Sequence, residues 1–128
     1  MSTCKYVSVE QHEKEVKKAR RAEETDWAEI AALYDALGQI EPSPIIELNR
    51  AVAVAMRDGP VAGLVLIEPL LAPDVLGRCH LAHAAKADLL RRLGHFPAAK
   101  ASYETALNLT RQVPERRFLK RRLAELGG

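Results

Sequence analysis

Aromatic residues are scarce in this chain. One Trp, three Tyr and two Phe make up 5% of its 128 residues. Cysteine is scarcer still, with only Cys4 and Cys79. Two isolated cysteines argue against a disulfide-dense scaffold and against a structural zinc site, and free thiols in a reducing cytoplasm are expected. The longest apolar run, residues 61–67, is far short of the roughly 20 residues that span a bilayer. Residues 1–6 lack the sustained apolar stretch of an export signal. Strict alternation of apolar and polar residues is absent, so no strand is predicted. Gly59 and Gly63 are too sparse for a phosphate-binding loop, and Ser8, Ser43 and Ser102 lie in no nucleophile-elbow context. The net charge of +2 is too small to argue for nucleic acid by itself.

Apolar residues reach 48% and charged residues 28%, the balance of a globular domain with one modest core. Ala and Leu dominate the apolar set and favour helices. Proline and glycine cut the chain into helix-length pieces, predicting helices at 8–23, 26–40, 44–57, 60–71, 78–93, 96–111 and 114–126. Thr25-Asp26 is an N-cap signal; Ser43 can cap the next helix, with Pro44 in its first turn. Asp58-Gly59-Pro60, Ala72-Pro73-Asp74, Leu93-Gly94 and Val113-Pro114 mark the later breaks. Charge is segregated. Residues 26–73 hold seven acids against two bases, and residues 111–128 hold six bases against two acids.

A repeat underlies the helices. Ala87, Gly94, Ala99, Tyr103 and Ala106 fall on positions 8, 15, 20, 24 and 27 of the 34-residue tetratricopeptide template. Val52 and Gly59 open an earlier unit that slips by about two residues before Ala62 and Leu66. Small residues belong where two helix backbones cross closely, and a large one such as Tyr103 fills the gap between repeats. The predicted fold is all-α, with antiparallel helical hairpins stacked as a short right-handed tetratricopeptide-like solenoid and a capping helix at the end. The domain is placed at residues 22–128. Residues 1–21 form an unplaced N-terminal helical segment.

Chemistry-bearing side chains are few. His80 and His83 sit three apart beside Cys79, but no further ligand completes a metal site nearby. His12 and His95 are isolated. No catalytic residue, metal or cofactor is expected. Two sets are candidates for binding a partner. Asn49, Arg50, Asp88, Arg91 and Arg92 fall on or beside the concave face that the first helices of the hairpins would line. Asn49 and Arg50 stand in an otherwise apolar helix, which predicts an internal hydrogen bond or a partner contact. Ala84 and Ala85 occupy positions where a carboxylate clamp would need polar residues. The second set, Arg116, Arg117, Lys120 and Arg121, lies at spacings of three and four on the last helix. Its plain role is the polar face of a terminal cap; its sharper role is docking an acidic partner or a phosphate backbone.

Several strings carry a family resemblance. They are Glu24-Thr25-Asp26-Trp27, Ala31 with Leu33-Tyr34-Asp35-Ala36-Leu37, Pro42-Ser43-Pro44, the run from Glu47-Leu48-Asn49-Arg50 through Ala55, and Asp58-Gly59-Pro60. The later strings are Ala87-Asp88-Leu89-Leu90-Arg91-Arg92-Leu93-Gly94 and Pro114-Glu115-Arg116-Arg117-Phe118-Leu119. Over about residues 22–126 the chain resembles the tetratricopeptide-like C-terminal extension of a subgroup of bacterial extracytoplasmic-function RNA polymerase sigma factors. The resemblance implies a non-catalytic protein-interaction domain that regulates transcription initiation through sigma domains, polymerase or a regulator. The promoter-reading sigma domains precede the extension in that subgroup, and residues 1–22 match neither of them. Direct promoter recognition is therefore not expected, and the chain reads as a fragment, a truncated relative or a free-standing version. The alternatives are a tetratricopeptide adaptor unrelated to transcription and a small nucleic-acid-binding module using the basic last helix.

Overall fold

The computed structural model describes residues 26–127. The helix predicted at 8–23 and the segment 1–21 lie outside the described residues. Six α-helices follow one another with no strand among the described residues. They are α1 (Trp27–Ile40), α2 (Pro44–Asp58), α3 (Pro60–Ile67), α4 (His80–Arg92), α5 (Phe96–Leu109) and α6 (Val113–Gly127). The described residues hold helices and no strand, as the composition predicts.

Local chemistry sets the boundaries. Asp26 caps α1 by accepting from the Glu29 N–H at 3.0 Å, and Ser43 caps α2 by accepting from the Ile45 N–H at 3.2 Å. Each cap satisfies a donor that the first helical turn leaves unpaired. The helix predicted at 60–71 divides in two: α3 ends at Ile67, and Glu68–Leu71 tighten into a 3-10 turn. Pro69 explains the change, because it has no N–H for an α-helical bond and its ring crowds the preceding turn. Leu93 and Gly94 close α4 with N–H groups turned back to the Leu89, Leu90 and Arg91 carbonyls. Gly94 adopts φ +81°, a left-handed conformation open to glycine at little cost.

The short links turn the chain back on itself, so consecutive helices pack side by side from α1 through α6. Three apolar clusters result. Ala31 of α1 meets Ala53 and Val54 of α2, flanked by Trp27, Ile30 and Tyr34. Leu48, Ala51, Val52 and Ala55 of α2 meet Ile67, Leu76, Leu81, Ala82, Ala85 and Leu89. Ala84, Ala87 and Leu90 of α4 meet Ala99, Tyr103 and Ala106 of α5 and Leu119 of α6. Cys79 also lies in the core and is disulfide-bonded, which corrects the expectation of free thiols drawn from the sparse cysteine spacing.

Close approach is concentrated at Gly63. A Cβ there would lie 2.5 Å from the Ala55 Cβ and 3.0 Å from the Ala51 carbonyl oxygen and the Leu89 side chain. Its missing side chain lets α3 press against both α2 and α4.

Candidate functional site

The polar residues singled out on α4 meet around one buried carboxylate. Asp88 is 2% exposed. The Tyr103 hydroxyl, from α5, donates to Asp88 Oδ1. Arg91 Nε donates to that hydroxyl at 3.2 Å, and Arg91 Nη2 lies 3.7 Å from Asp88 Oδ1. Arg122, from α6, brings its Nε to 3.8 Å from the same oxygen and its Nη1 to 3.2 Å from Glu125. One carboxylate thus ties three helices together. Burial holds its pKa above the ordinary carboxylate value, and the Tyr103 hydrogen bond and the Arg122, Arg91 and Arg92 charges oppose that rise. Burial, with the nearby Asp88 charge, also pushes the Tyr103 hydroxyl upward. A buried charge without partners is costly, so the guanidinium groups are part of what lets Asp88 sit here.

Asp88 therefore faces its own chain. Arg92 is exposed and reaches the Met56 sulfur on α2, linking α4 to α2.

Asn49 and Arg50 behave differently. Asn49 is 8% exposed, and its Nδ2 donates to the Ile45 carbonyl at 3.1 Å one turn back. Its Oδ1 is buried without a hydrogen-bond partner. Arg50 Nη2 pairs with Glu47 at 3.3 Å, while its Nε is likewise buried without a hydrogen bond. Each side chain thus meets part of its bonding capacity inside α2 and leaves one polar atom over.

The basic set on α6 divides. Arg116 turns onto the end of α5, where its Nη1 donates to the Leu107 carbonyl at 2.8 Å and the Thr110 carbonyl at 2.9 Å. It acts as a side-chain cap for carbonyls that α5 leaves unpaired. Arg117, Lys120 and Arg121 are exposed. The guanidinium groups of Arg121 and Arg122 stand 5.8 Å and 5.1 Å from the Phe118 ring centre, within cation–π range. Leu119 is buried, and Phe118, Leu123 and Leu126 are partly buried against the same cluster.

The two histidines weighed as metal ligands take separate protein partners. His80 Nε2 lies 3.2 Å from a Glu115 carboxylate oxygen, joining the starts of α4 and α6, and His83 Nε2 lies 2.8 Å from the Gly77 carbonyl. No group of three or more metal-ligating side chains occurs among the described residues.

Sequence reasoning missed the roles of Tyr103 and Arg122 as partners of Asp88. The Tyr103 link spans 15 residues and the Arg122 link 34, beyond helical spacing. The one available signal was Tyr103 on a template position that asks for a buried aromatic.

No family model matches this chain, and no solved structure does. A curated protein of Rhizobium meliloti (strain 1021), described as uncharacterized, is 38% identical to it over 109 residues. Those residues are 85% of this chain and 25% of that protein, so the chain spans about a quarter of the length of the curated relative it matches.

Proposed function

We propose that the chain is a short tetratricopeptide-like array serving as a non-catalytic protein-interaction domain in bacterial transcription, akin to the C-terminal extension of an extracytoplasmic-function sigma factor. One observation carries the repeat reading. Ala87, Ala99, Tyr103 and Ala106 are each 0% exposed and meet in one cluster, and Gly94 turns the chain between them. Those are the positions at which the template asks for small, aromatic and glycine residues. The mainly sequential packing of helices supports the same reading, since stacked repeats contact their neighbours.

In this array α2, α4 and α6 line the concave face. Arg50, whose side chain is a quarter exposed and pairs with Glu47 at 3.3 Å, is the polar group on α2 that a docked segment of a partner would meet. On α4, Arg92 is exposed and lies against Met56 toward the C-terminal end of α2. The partner is a sigma domain, polymerase or a regulator, and the cytoplasm follows from that partner rather than from the cysteines, since Cys79 is disulfide-bonded. No helix among the described residues is long and apolar enough to cross a membrane. In the Rhizobium relative the matching stretch is one quarter of a longer protein, which suits an appended domain. The nucleic-acid reading is weakened by α6, where Arg116 and Arg122 are spent on internal contacts.

The test is transcription in vitro. Core polymerase with this chain alone should give no specific transcript. Promoter-reading sigma domains supplied separately should initiate, and adding the chain should change their output. Specific initiation by the chain alone, or no effect on the sigma domains, would refute the proposal.

A further inference from the structure

One face shared by α4 and α6 is strongly basic. The two helices run the same way, since His80 meets Glu115 at their starts and Asp88 meets Arg122 about two turns further on. Arg91 and Arg92 in the last turn of α4 therefore stand within about one turn of the level of Arg121 and Arg122. Asp88 and Glu125 are met by the inner pair, Arg91 and Arg122. The outer pair, Arg92 and Arg121, is exposed. Asp88 is 2% exposed, so this face presents to solvent the guanidinium groups and not the carboxylate they enclose. Over their whole length α4 and α6 carry eight Lys and Arg against three Asp and Glu.

We propose that this face binds a short acidic segment of a protein partner, whose Asp or Glu carboxylates sit on Arg92 and Arg121 over the inner pair. The arginines are held in advance. The Tyr103 hydroxyl accepts from Arg91 Nε at 3.2 Å, and the Met56 sulfur accepts from Arg92 Nη1. The Phe118 ring lies beneath the Arg121 and Arg122 guanidinium groups, 5.8 Å and 5.1 Å from its centre. A guanidinium stacked on a ring keeps its edge N–H groups for a carboxylate, which it meets with two parallel hydrogen bonds. Side chains already in place lose little conformational freedom on binding. The Arg91 and Arg122 side chains are only 28% and 22% exposed, and their charge acts through a dielectric lower than that of water.

Charge elsewhere favours a short acidic segment over a nucleic-acid duplex. Residues 26–73 hold seven acids against two bases. A duplex crossing the helices carries its phosphates on toward that acidic half, whereas a segment seated on α4 and α6 meets only the basic half. Such a segment presupposes that α4 and α6 belong to a protein-binding face, as proposed, but not that its owner belongs to the transcription machinery.

Fluorescence anisotropy with the full chain tests it, using a labelled glutamate-rich peptide, the same peptide with glutamine for glutamate, and a labelled DNA duplex. The glutamate peptide should bind saturably, weaken as salt is raised, and bind at least about tenfold more tightly than the glutamine peptide. Arg92→Gln with Arg121→Gln changes exposed side chains and should weaken binding at least about tenfold, with thermal melting close to that of the wild type. Lys100→Gln with Arg111→Gln removes the same charge from exposed positions on α5 and the link after it, and should change binding by less than about twofold. Absence of saturable binding by the glutamate peptide would overturn the proposal. So would equal binding of the glutamine peptide, equal loss in the two double variants, or tighter binding of the duplex. The two peptides are compared on the wild-type chain, so the outcome does not hang on a variant that fails to fold. Acid-selective binding here with no effect on initiation by sigma domains would uphold the acidic segment and refute the transcription reading. Sigma-domain or polymerase binding that ignores the Arg92 and Arg121 substitutions would do the reverse.

Discussion

The two ends of the helical array are held by different forces. Around α4, α5 and α6, a buried acid, a tyrosine hydroxyl and two guanidinium groups tie three helices together. Around α1, α2 and α3, contact is made by Ala31, Ala51, Ala53, Ala55 and Gly63, with no charged side chain fully buried among them. The first end gains specificity from directional bonds, at the risk of a large loss if one partner is removed. The second gains closeness from small residues, and any added volume pushes its helices apart. The polar end is closed by α6, whereas the small-residue end still presents an apolar flank on α1.

Tyr103→Ala strikes the polar end hardest. It empties the fully buried aromatic site and strands Asp88, so a loss of about 3–5 kcal/mol in urea unfolding is expected. A loss below about 1 kcal/mol would mean that the three helices are joined by something else. Added volume gives the next effect at both ends. Ala99→Leu and Gly63→Ala should each cost about 1–3 kcal/mol, read from thermal melting. If Gly63→Ala left the melting temperature unchanged, the close contact with Ala55 would not be a constraint. Arg116→Ala, which uncovers the Leu107 and Thr110 carbonyls, should cost about 1–2 kcal/mol, and Arg116→Lys should recover only part of it.

A pH titration sharpens the contrast further. The folded pKa of Asp88 lies above its unfolded value, so the folded state holds the proton more tightly. Its contribution is fully present below the ordinary carboxylate value of about 4 and is lost as pH rises through the raised folded value. Other carboxylates titrate in the same range, so the reading is a difference. The stability of the wild-type chain minus that of Asp88→Asn should fall as pH increases from about 3.5 upward. A difference that is flat or rises would contradict the direction assigned to Asp88. The smallest effect belongs to the solvated face of α6. Replacing Arg117, Lys120 and Arg121 together with Gln should change stability by only tenths of a kcal/mol per residue.

Much of the fold was legible because proline, glycine and capping residues act locally. Asp26 and Ser43 cap helices that begin where their side chains predict, and Gly94 ends α4 where a left-handed residue is needed. Pro69 was legible in principle, yet the apolar pattern running on through Leu70 and Leu71 concealed the 3-10 turn it imposes. Gly63 was passed over because a glycine inside a helix carries no sequence mark of which neighbour crosses it. The candidate site was legible only in its residue types. Asp88, Arg91 and Arg92 sit together on α4 as spacing requires, but whether an acid faces solvent or a tyrosine on the next helix depends on how the helices pack. Arg116 had the same spacing as Lys120 and turned inward because the end of α5 offers it two open carbonyls.

The central claim is that this array binds a protein of the transcription machinery. The direct measurement is equilibrium binding of the full chain to purified sigma domains and to core polymerase, with duplex DNA titrated in parallel at physiological salt. The account predicts saturable binding to one of the two proteins, weakened by substitution of Asn49 and Arg50, and no sequence-selective binding to DNA. Absence of binding to both proteins, or tight and sequence-selective binding to the duplex, would contradict it.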